Sequence, residues 1–283
     1  MKALIFAAGL GTRLKPITDR IPKALVPICG KPLLQHVVDK LKGAGFTELV
    51  INVHHFANQI EQYVLDNGSF GVSVSFSDET DLLRETGGGI RHAAKYLNGS
   101  EPFLVHNVDI LSNLDIEKFV EAHQKYNLQP SAVGGAALAT LLVSDRQTQR
   151  YLLFNSDNNL AGWMNIKTGQ VRTPYQDIKN VADHIVWNGA NNSAENRDKF
   201  DYEQFLKICN LKKYAFDGAH VISPKIFEVM EHMPEKFSII DFYLEYCNRY
   251  DIKYHIQPDL EMVDVGKLDS LEKAEEMVKR LIN

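Results

Sequence analysis

Cysteine is scarce in this chain. Its three copies in 283 residues, Cys29, Cys209 and Cys247, are too few and too scattered for a disulfide framework or a zinc cluster. Two of them sit in apolar-rich runs, where a cysteine reads as a small buried hydrophobe. An excess of positive charge is lacking too. The formal net charge is −5, so no global basic field points to nucleic acid or an anionic membrane, and any cationic site must be local. No run approaches the roughly 18 apolar residues of a membrane span. The opening "MKALIFAAGLGTR" starts apolar, but Gly9, Gly11 and Arg13 cut it and no small-residue cleavage site follows, so it does not read as a secretory signal. The expectation is a cytoplasmic protein with neither nucleic acid nor membrane as partner. Internal repeats are absent as well.

What is present is an ordinary globular composition, 45% hydrophobic and 24% charged, sufficient for a full core. The first half alternates strand-like and helix-like segments. "KALIFAA", "ELVINVH", "GVSVSFS" and "PFLVHNVDI" read as strands. "KPLLQHVVDKLKGAG" sets Leu33, Leu34, Val37, Val38 and Leu41 on one helical face, with Gly43 and Gly45 to end it. "FANQIEQYVLDNG", "GGGIRHAAKYL" (after a glycine turn) and "NLDIEKFVEAHQKYN", capped by Asn113 or Asp115, complete the helices. Such alternation implies βαβ units, hence an α/β fold with a Rossmann-like, mostly parallel sheet flanked by helices.

The second half is more elaborate. "SAVGGAALATLLVS" reads as one or two strands, and "RYLLFNSDNNLAGWMN" as a hairpin turning at Asp157–Asn159. Residues 172–213 are polar, with "NGANNSAENRDKFD" the least core-like stretch, and fit a mobile loop or lid. "KYAFDGAHVIS" resumes strand character. "FSIIDFYLEYCNRY" is an amphipathic helix whose aromatics suit the core or a homodimer contact. A short strand, "EMVDVG", precedes a last helix with Leu268, Leu271, Ala274, Met277, Val278 and Leu281 on one face. One domain, 1–283, is expected.

The stretch "LIFAAGLGTRLKPITDRIPKALVPICGKPL" carries the chemistry. It has glycines at 9 and 11 but Leu14 where a dinucleotide fingerprint wants glycine or alanine, and no Gly-Lys-Ser or Gly-Lys-Thr of a Walker loop follows. A strand end followed by two glycines can aim consecutive N–H groups into one concavity that suits phosphate oxygens. Arg13 could grip a phosphate with its planar fork, and Lys23 lies on a segment stiffened by Pro22 and Pro27. Taken alone, the same glycines also fit a plain tight turn with solvated cations.

The whole stretch, with its spacing and proline–lysine sequel, resembles the signature of the sugar-1-phosphate nucleotidyltransferases. The resemblance implies the nucleotide-diphospho-sugar transferase type of fold, with 1–115 as the nucleotide-binding half and 130–260 as the sugar-binding half. It implies a nucleoside triphosphate wrapped by Ala8, Gly9, Gly11, Thr12 and Arg13, its phosphates met by Lys23. It also implies Mg²⁺ on two aspartates: Asp109, ending "FLVHNVD", and Asp264, in "DVG". Both lie at strand ends, where ligands of parallel sheets collect; by itself, an aspartate there is more often a cap or turn former, and it is the pair in this context that points to metal. The family commonly shows Asn-Gly-Asp at the first of these, whereas this chain reads Asn107-Val108-Asp109, which narrows the space beside the sugar.

"RETGGGI" offers a second glycine segment, with Thr86, Gly87 and Gly88 assigned to phosphates and base. It resembles a branch of uridylyltransferases and guanylyltransferases acting on N-acetylmuramate 1-phosphate and mannose 1-phosphate, which implies a role in cell wall or surface polysaccharide precursors. Asn107 and Gly218 match positions facing the sugar phosphate. The family's acceptor lysine in a Glu-Lys-Pro segment is missing, and Arg146, Arg150, Lys167 and Lys236 all stay open as substitutes. His106 reads as a strand residue, because a sugar phosphate dianion needs no base. The pair His54-His55 reads as packed or capping. Condensation of a triphosphate, UTP before GTP, with a sugar 1-phosphate is therefore expected, Arg13, Lys23 and Asp109 being catalytic. A catalytically inactive, nucleotide-sugar-sensing regulatory subunit is the alternative.

Overall fold

The alternation of the first half becomes a parallel sheet in the computed structural model, which describes residues 1–128, 135–189 and 201–282. The chain divides into two compact units. One comprises Met1–Glu121, Gly218–Ile239 and Gln257–Asn283, the other Ala122–Asp217 and Ile240–Ile256.

In the first unit the strands run in the order Phe103–Asn107, Lys2–Phe6, Glu48–Val53, Ser73–Asp78, all parallel. Residues 219–222 add an antiparallel neighbour to Phe103–Asn107, so the sheet is mixed but mostly parallel. Parallel strands need cover on both faces, and Ala3, Leu4 and Ile5 of the central strand are fully buried. The helix Leu33–Gly43 buries Leu33, Leu34, Val37, Val38 and Leu41, the stripe its spacing predicts. Asp115 caps the helix Ile116–Asn127, its Oδ1 accepting the Lys118 N–H at 3.0 Å. Asn113 instead accepts the N–H of Glu261 at 2.8 Å. The strand Met262–Asp264 pairs antiparallel with Ile110–Ser112. The last helix, Leu271–Ile282, buries Ala274, Met277 and Val278, but Leu268 and Leu281 are 45% and 51% exposed, so the expected stripe is shorter than its pattern.

In the second unit Ala139–Ser144 pairs parallel with Ile252–His255. Arg150–Phe154 and Leu160–Asn165 form the expected hairpin, turning through Asn158 at φ 60°. Residues 212–214 pair with 152–154. The polar segment 172–213 is not a long loop where it is described: it forms the helices Gln176–Gly189 and Tyr202–Cys209. Ile178, Ala182, Phe205 and Leu206 pack with Tyr151, Leu153 and Met164 into a core. Apolar residues at 178, 181, 182 and 185 keep helical spacing, and the polarity belongs to the other face. Residues 190–200, most of the least core-like stretch, lie outside the described residues. In the helix Ile239–Tyr246 the aromatics Phe242 and Tyr243 are fully buried, which assigns them to the core. Of the cysteines only Cys247 is buried; Cys209 is half-buried and Cys29 exposed. Among the described residues no helix is long and apolar enough to cross a membrane.

Candidate active site

The site is built at the carboxyl ends of the parallel strands of the first unit. After Phe6 the chain turns at once, and the N–H groups of Ala7 and Ala8 both donate to Asn52 Oδ1, at 2.6 and 3.2 Å. A Cβ added at Gly9 would meet open space, which leaves room for a ligand against the backbone. Gly11 is required for a different reason. It sits at φ +64°, and a Cβ there would lie 2.8 Å from Thr18 Cγ2 and 3.2 Å from Lys23 Cβ. Thr18 Oγ1 also donates to the Gly11 carbonyl at 2.8 Å, closing the loop on itself. Thr12 and Arg13 are exposed on the single turn Thr12–Leu14, anchored by the fully buried Leu14.

A cavity of about 230 Å³ opens beside this loop. Ala7, Ala8 and Gly9 form one wall, Asn107, Val108 and Asp109 a second, Glu85 and Thr86 a third, and Lys23 reaches in. The Lys23 ammonium is ion-paired with Asp109 Oδ2, although the two are 86 residues apart. Val108 is 3% exposed and donates its N–H to the Phe6 carbonyl at 3.1 Å, so its side chain takes up space in the wall where the family's glycine has none. Gly218, at φ +77°, abuts Asn107: a Cβ there would come within 2.9 Å of Asn107 Nδ2. These two candidate sugar-phosphate residues are therefore neighbours, with Asn107 alone reaching the cavity wall.

Asp264 closes the strand next to Asp109, because the Val265 N–H donates to the Asp109 carbonyl at 2.8 Å and Asp264 pairs with Ile110. A Cβ at the buried Gly266 would lie 2.7 Å from Asp264 Oδ1 and 2.8 Å from Arg13 Nη2. The carboxylate and the guanidinium thus flank one point. Neither lines the cavity; they stand outside its wall. Among the described residues no cluster of three or more histidine, cysteine or acidic side chains is assembled. Two hard carboxylates on adjoining strands, with substrate oxygens completing the shell, could hold Mg²⁺, which coordinates few protein ligands at phosphate sites.

The second glycine segment departs from expectation. Gly87 and Gly88 do not precede the helix; they lie inside Glu85–His92, and Glu85 makes the turn at φ 60°. Their N–H groups both donate to the Phe237 carbonyl, at 2.9 and 3.1 Å, so these donors are engaged within the protein. The glycines permit close approach: added Cβ atoms would collide with the Phe237 ring and with the Glu235 carbonyl. Thr86 Oγ1 accepts the N–H of Ile239 at 2.9 Å.

Several other candidates have partners of their own. His106 is fully buried in its strand, and burial holds its imidazole down at about 4, neutral at physiological pH. His54 Nδ1 bonds the Glu79 carbonyl oxygen at 2.7 Å, and His55 packs on Phe56. Arg146 pairs through Nε with Asp217 Oδ1 at 2.7 Å. Arg150 and Lys167 are exposed. Lys236 lies 3.8 Å from Glu85, a residue of the cavity wall. Sequence reasoning missed Asn52 and Glu79, which line the cavity's inner end. Their signal is faint: an asparagine inside an otherwise apolar strand run, and a glutamate in a polar turn.

Comparison with known proteins fits this geometry. An N-acetylmuramate α-1-phosphate uridylyltransferase of Neisseria meningitidis is 43% identical over 133 residues, 47% of this chain and 56% of the relative. A mannose-1-phosphate guanyltransferase beta-B of Xenopus laevis is 36% identical over 135 residues, 47% of this chain and 37% of the relative. The chain thus spans about half the length, or less, of these curated relatives. Among solved structures, a putative glucose-1-phosphate thymidylyltransferase of Bacillus anthracis superposes with a TM-score of 0.70 at 18% identity, over 99% of this chain and 95% of that one. A UDP-glucose pyrophosphorylase complexed with UDP-glucose gives 0.67 at 19% identity, over 99% and 98%. At those identities the likeness carries the fold, the nucleotide-diphospho-sugar transferase type. A model of the nucleotidyl transferase family matches residues 2–153, more than half of the chain, and the chain belongs to that family.

Proposed function

We propose that this chain transfers a nucleotidyl group from a nucleoside triphosphate to a sugar 1-phosphate. The observation that carries the reading is the meeting of Lys23 and Asp109 in a cavity walled by the glycine loop. A triphosphate is a dense anion, and nucleotidyl transfer is chiefly alignment and charge stabilisation. Backbone N–H groups around Gly9 and Gly11 would hold phosphates. Arg13 and Lys23 would neutralise charge on the α-phosphorus oxygens, Lys23 exchanging its carboxylate partner for phosphate. The sugar phosphate oxygen bonds to the α-phosphorus in line as the bond to pyrophosphate breaks, and the attacking dianion needs no base. Asp109 and Asp264 would hold Mg²⁺, which when bound would supply positive charge to offset the phosphate charge.

Residues 1–115 would serve the nucleotide and residues 130–260 the sugar, with Asn107, Gly218 and Lys236 nearest the acceptor phosphate. Base contacts would come from Glu85 and Thr86 rather than the engaged amides of Gly87 and Gly88. Relatives with uridylyltransferase names at 43% identity, and guanyltransferase names at 36%, support UTP as first donor and GTP as second. The product would be a cytoplasmic precursor for cell wall or surface polysaccharide. Crossing four triphosphates with a panel of sugar 1-phosphates in Mg²⁺ should release pyrophosphate, most with UTP and none without a sugar phosphate. Triphosphate binding with no release across the whole panel would overturn the reading and favour a regulatory sensor.

A further inference from the structure

The inner wall of the cavity contains a buried polar chain that the transfer chemistry leaves unused. Asn52, near the end of the strand Glu48–Val53, is 2% exposed, and Glu79, just past Ser73–Asp78, is 0% exposed. The Asn52 carbonyl oxygen receives the N–H groups of Ala7 and Ala8. Its amide nitrogen donates to Glu79 Oε1 at 3.0 Å. The other Glu79 oxygen accepts the N–H of Arg84 at 3.0 Å, where the helix Glu85–His92 begins. Gly89 seals the chain: a Cβ there would lie 2.8 Å from Glu79 Oε1 and 3.1 Å from Phe6 Cε1.

One end of this relay grips the first residues of the glycine loop, and the other fixes the start of the segment holding Glu85 and Thr86. Burying a carboxylate among neutral donors is costly, and a well-packed apolar pair would serve stability at least as well. An apolar pair could not set the position of three backbone N–H groups, two in one cavity wall and one at the start of the helix that carries another. We infer that Asn52 and Glu79 are positioning residues of the nucleotide site, holding its two loops at a fixed separation before nucleotide arrives. The inference rests on the nucleotidyl-transfer reading.

The relay has a direction, which makes it testable. Glu79 must accept twice, and Asn52 must accept toward the loop and donate toward Glu79. Glu79→Gln turns an amide donor toward another donor, and Asn52→Asp sets two carboxylates against each other. Combined, the two changes restore every bond: the new amide donates to the new carboxylate, and both remaining oxygens still accept. Calorimetric titration of the full chain with Mg²⁺ and UTP or GTP, beside steady-state KM and kcat and urea midpoints, reads the outcome. Each single variant should bind triphosphate about 10-fold more weakly and raise KM for the nucleotide more than it lowers kcat, while the double variant returns to within about 3-fold of wild type. Folded single variants with wild-type affinity would overturn the inference, as would a double variant that regains stability but not affinity. If both single variants unfold, the double variant decides alone by the same two criteria. Failure of the wild-type protein to bind any triphosphate is a separate result, which removes the nucleotidyl-transfer reading and this inference with it.

Discussion

Replacing Asp109 with alanine is expected to lower turnover by about 10³-fold or more, since charge stabilisation of a phosphoryl transition state is worth several kcal/mol and each 1.36 kcal/mol is about tenfold. The side chain is partly exposed and ion-paired with the Lys23 ammonium, so the fold should survive the change. Losing the carboxylate frees Lys23 at the cavity wall. Metal-free triphosphate should therefore bind the variant at least as tightly as wild type, because the lysine no longer has to leave an acidic partner to meet phosphate. Pyrophosphate release, circular dichroism and calorimetry in EDTA separate these effects. Full turnover in a folded variant would remove Asp109 from the chemistry. Weaker metal-free binding would mean that Lys23 does not meet the triphosphate.

Acid should begin to destabilise the protein well above the range in which carboxylates titrate. Burial holds His106 and His123 at about 4 and His220 at about 3, against 6.5 for a free imidazole. The folded protein keeps these rings neutral, whereas the unfolded chain protonates them below about pH 6.5. Their contribution is thus complete above pH 6.5 and is lost as pH falls toward the folded values. At 1.36 kcal/mol per unit, each ring costs about 3 kcal/mol by pH 4, and three together approach the whole stability of an ordinary domain. Urea midpoints should fall steadily from pH 6.5 and collapse between about pH 5 and 4. His123→Gln should flatten the slope by one proton, since that ring is bonded to Thr140 Oγ1 at 2.9 Å through Nδ1 alone and its Nε2 is unpartnered. A midpoint constant from pH 6.5 to 4.5 would contradict this.

Local periodicity made most of the fold legible. The five apolar positions of Leu33–Gly43 and the buried run of Lys2–Phe6 follow directly from spacing, because burial is what the spacing encodes. The glycine triplet misleads because glycine is a poor helix former in isolation, and only the passing backbone of 235–237, distant in sequence, makes a helix there useful. Residues 176–189 mislead because polarity on one face outweighs a four-position apolar stripe on the other. At the site, Lys23 and Asp109 could be named from the resemblance, but their direct pairing is a tertiary fact. Asn52 and Glu79 carry no short-range pattern: each is an ordinary polar residue whose role exists only once two strands and two loops are assembled.

The most direct measurement is a crystal structure of the chain with Mg²⁺ and a non-hydrolysable UTP analogue. The triphosphate should run along residues 9–13, with Arg13 and Lys23 on its oxygens and one metal ion joining the α-phosphate to the carboxylates of Asp109 and Asp264. A nucleotide seated away from the glycine loop, or a metal held without either aspartate, would contradict it.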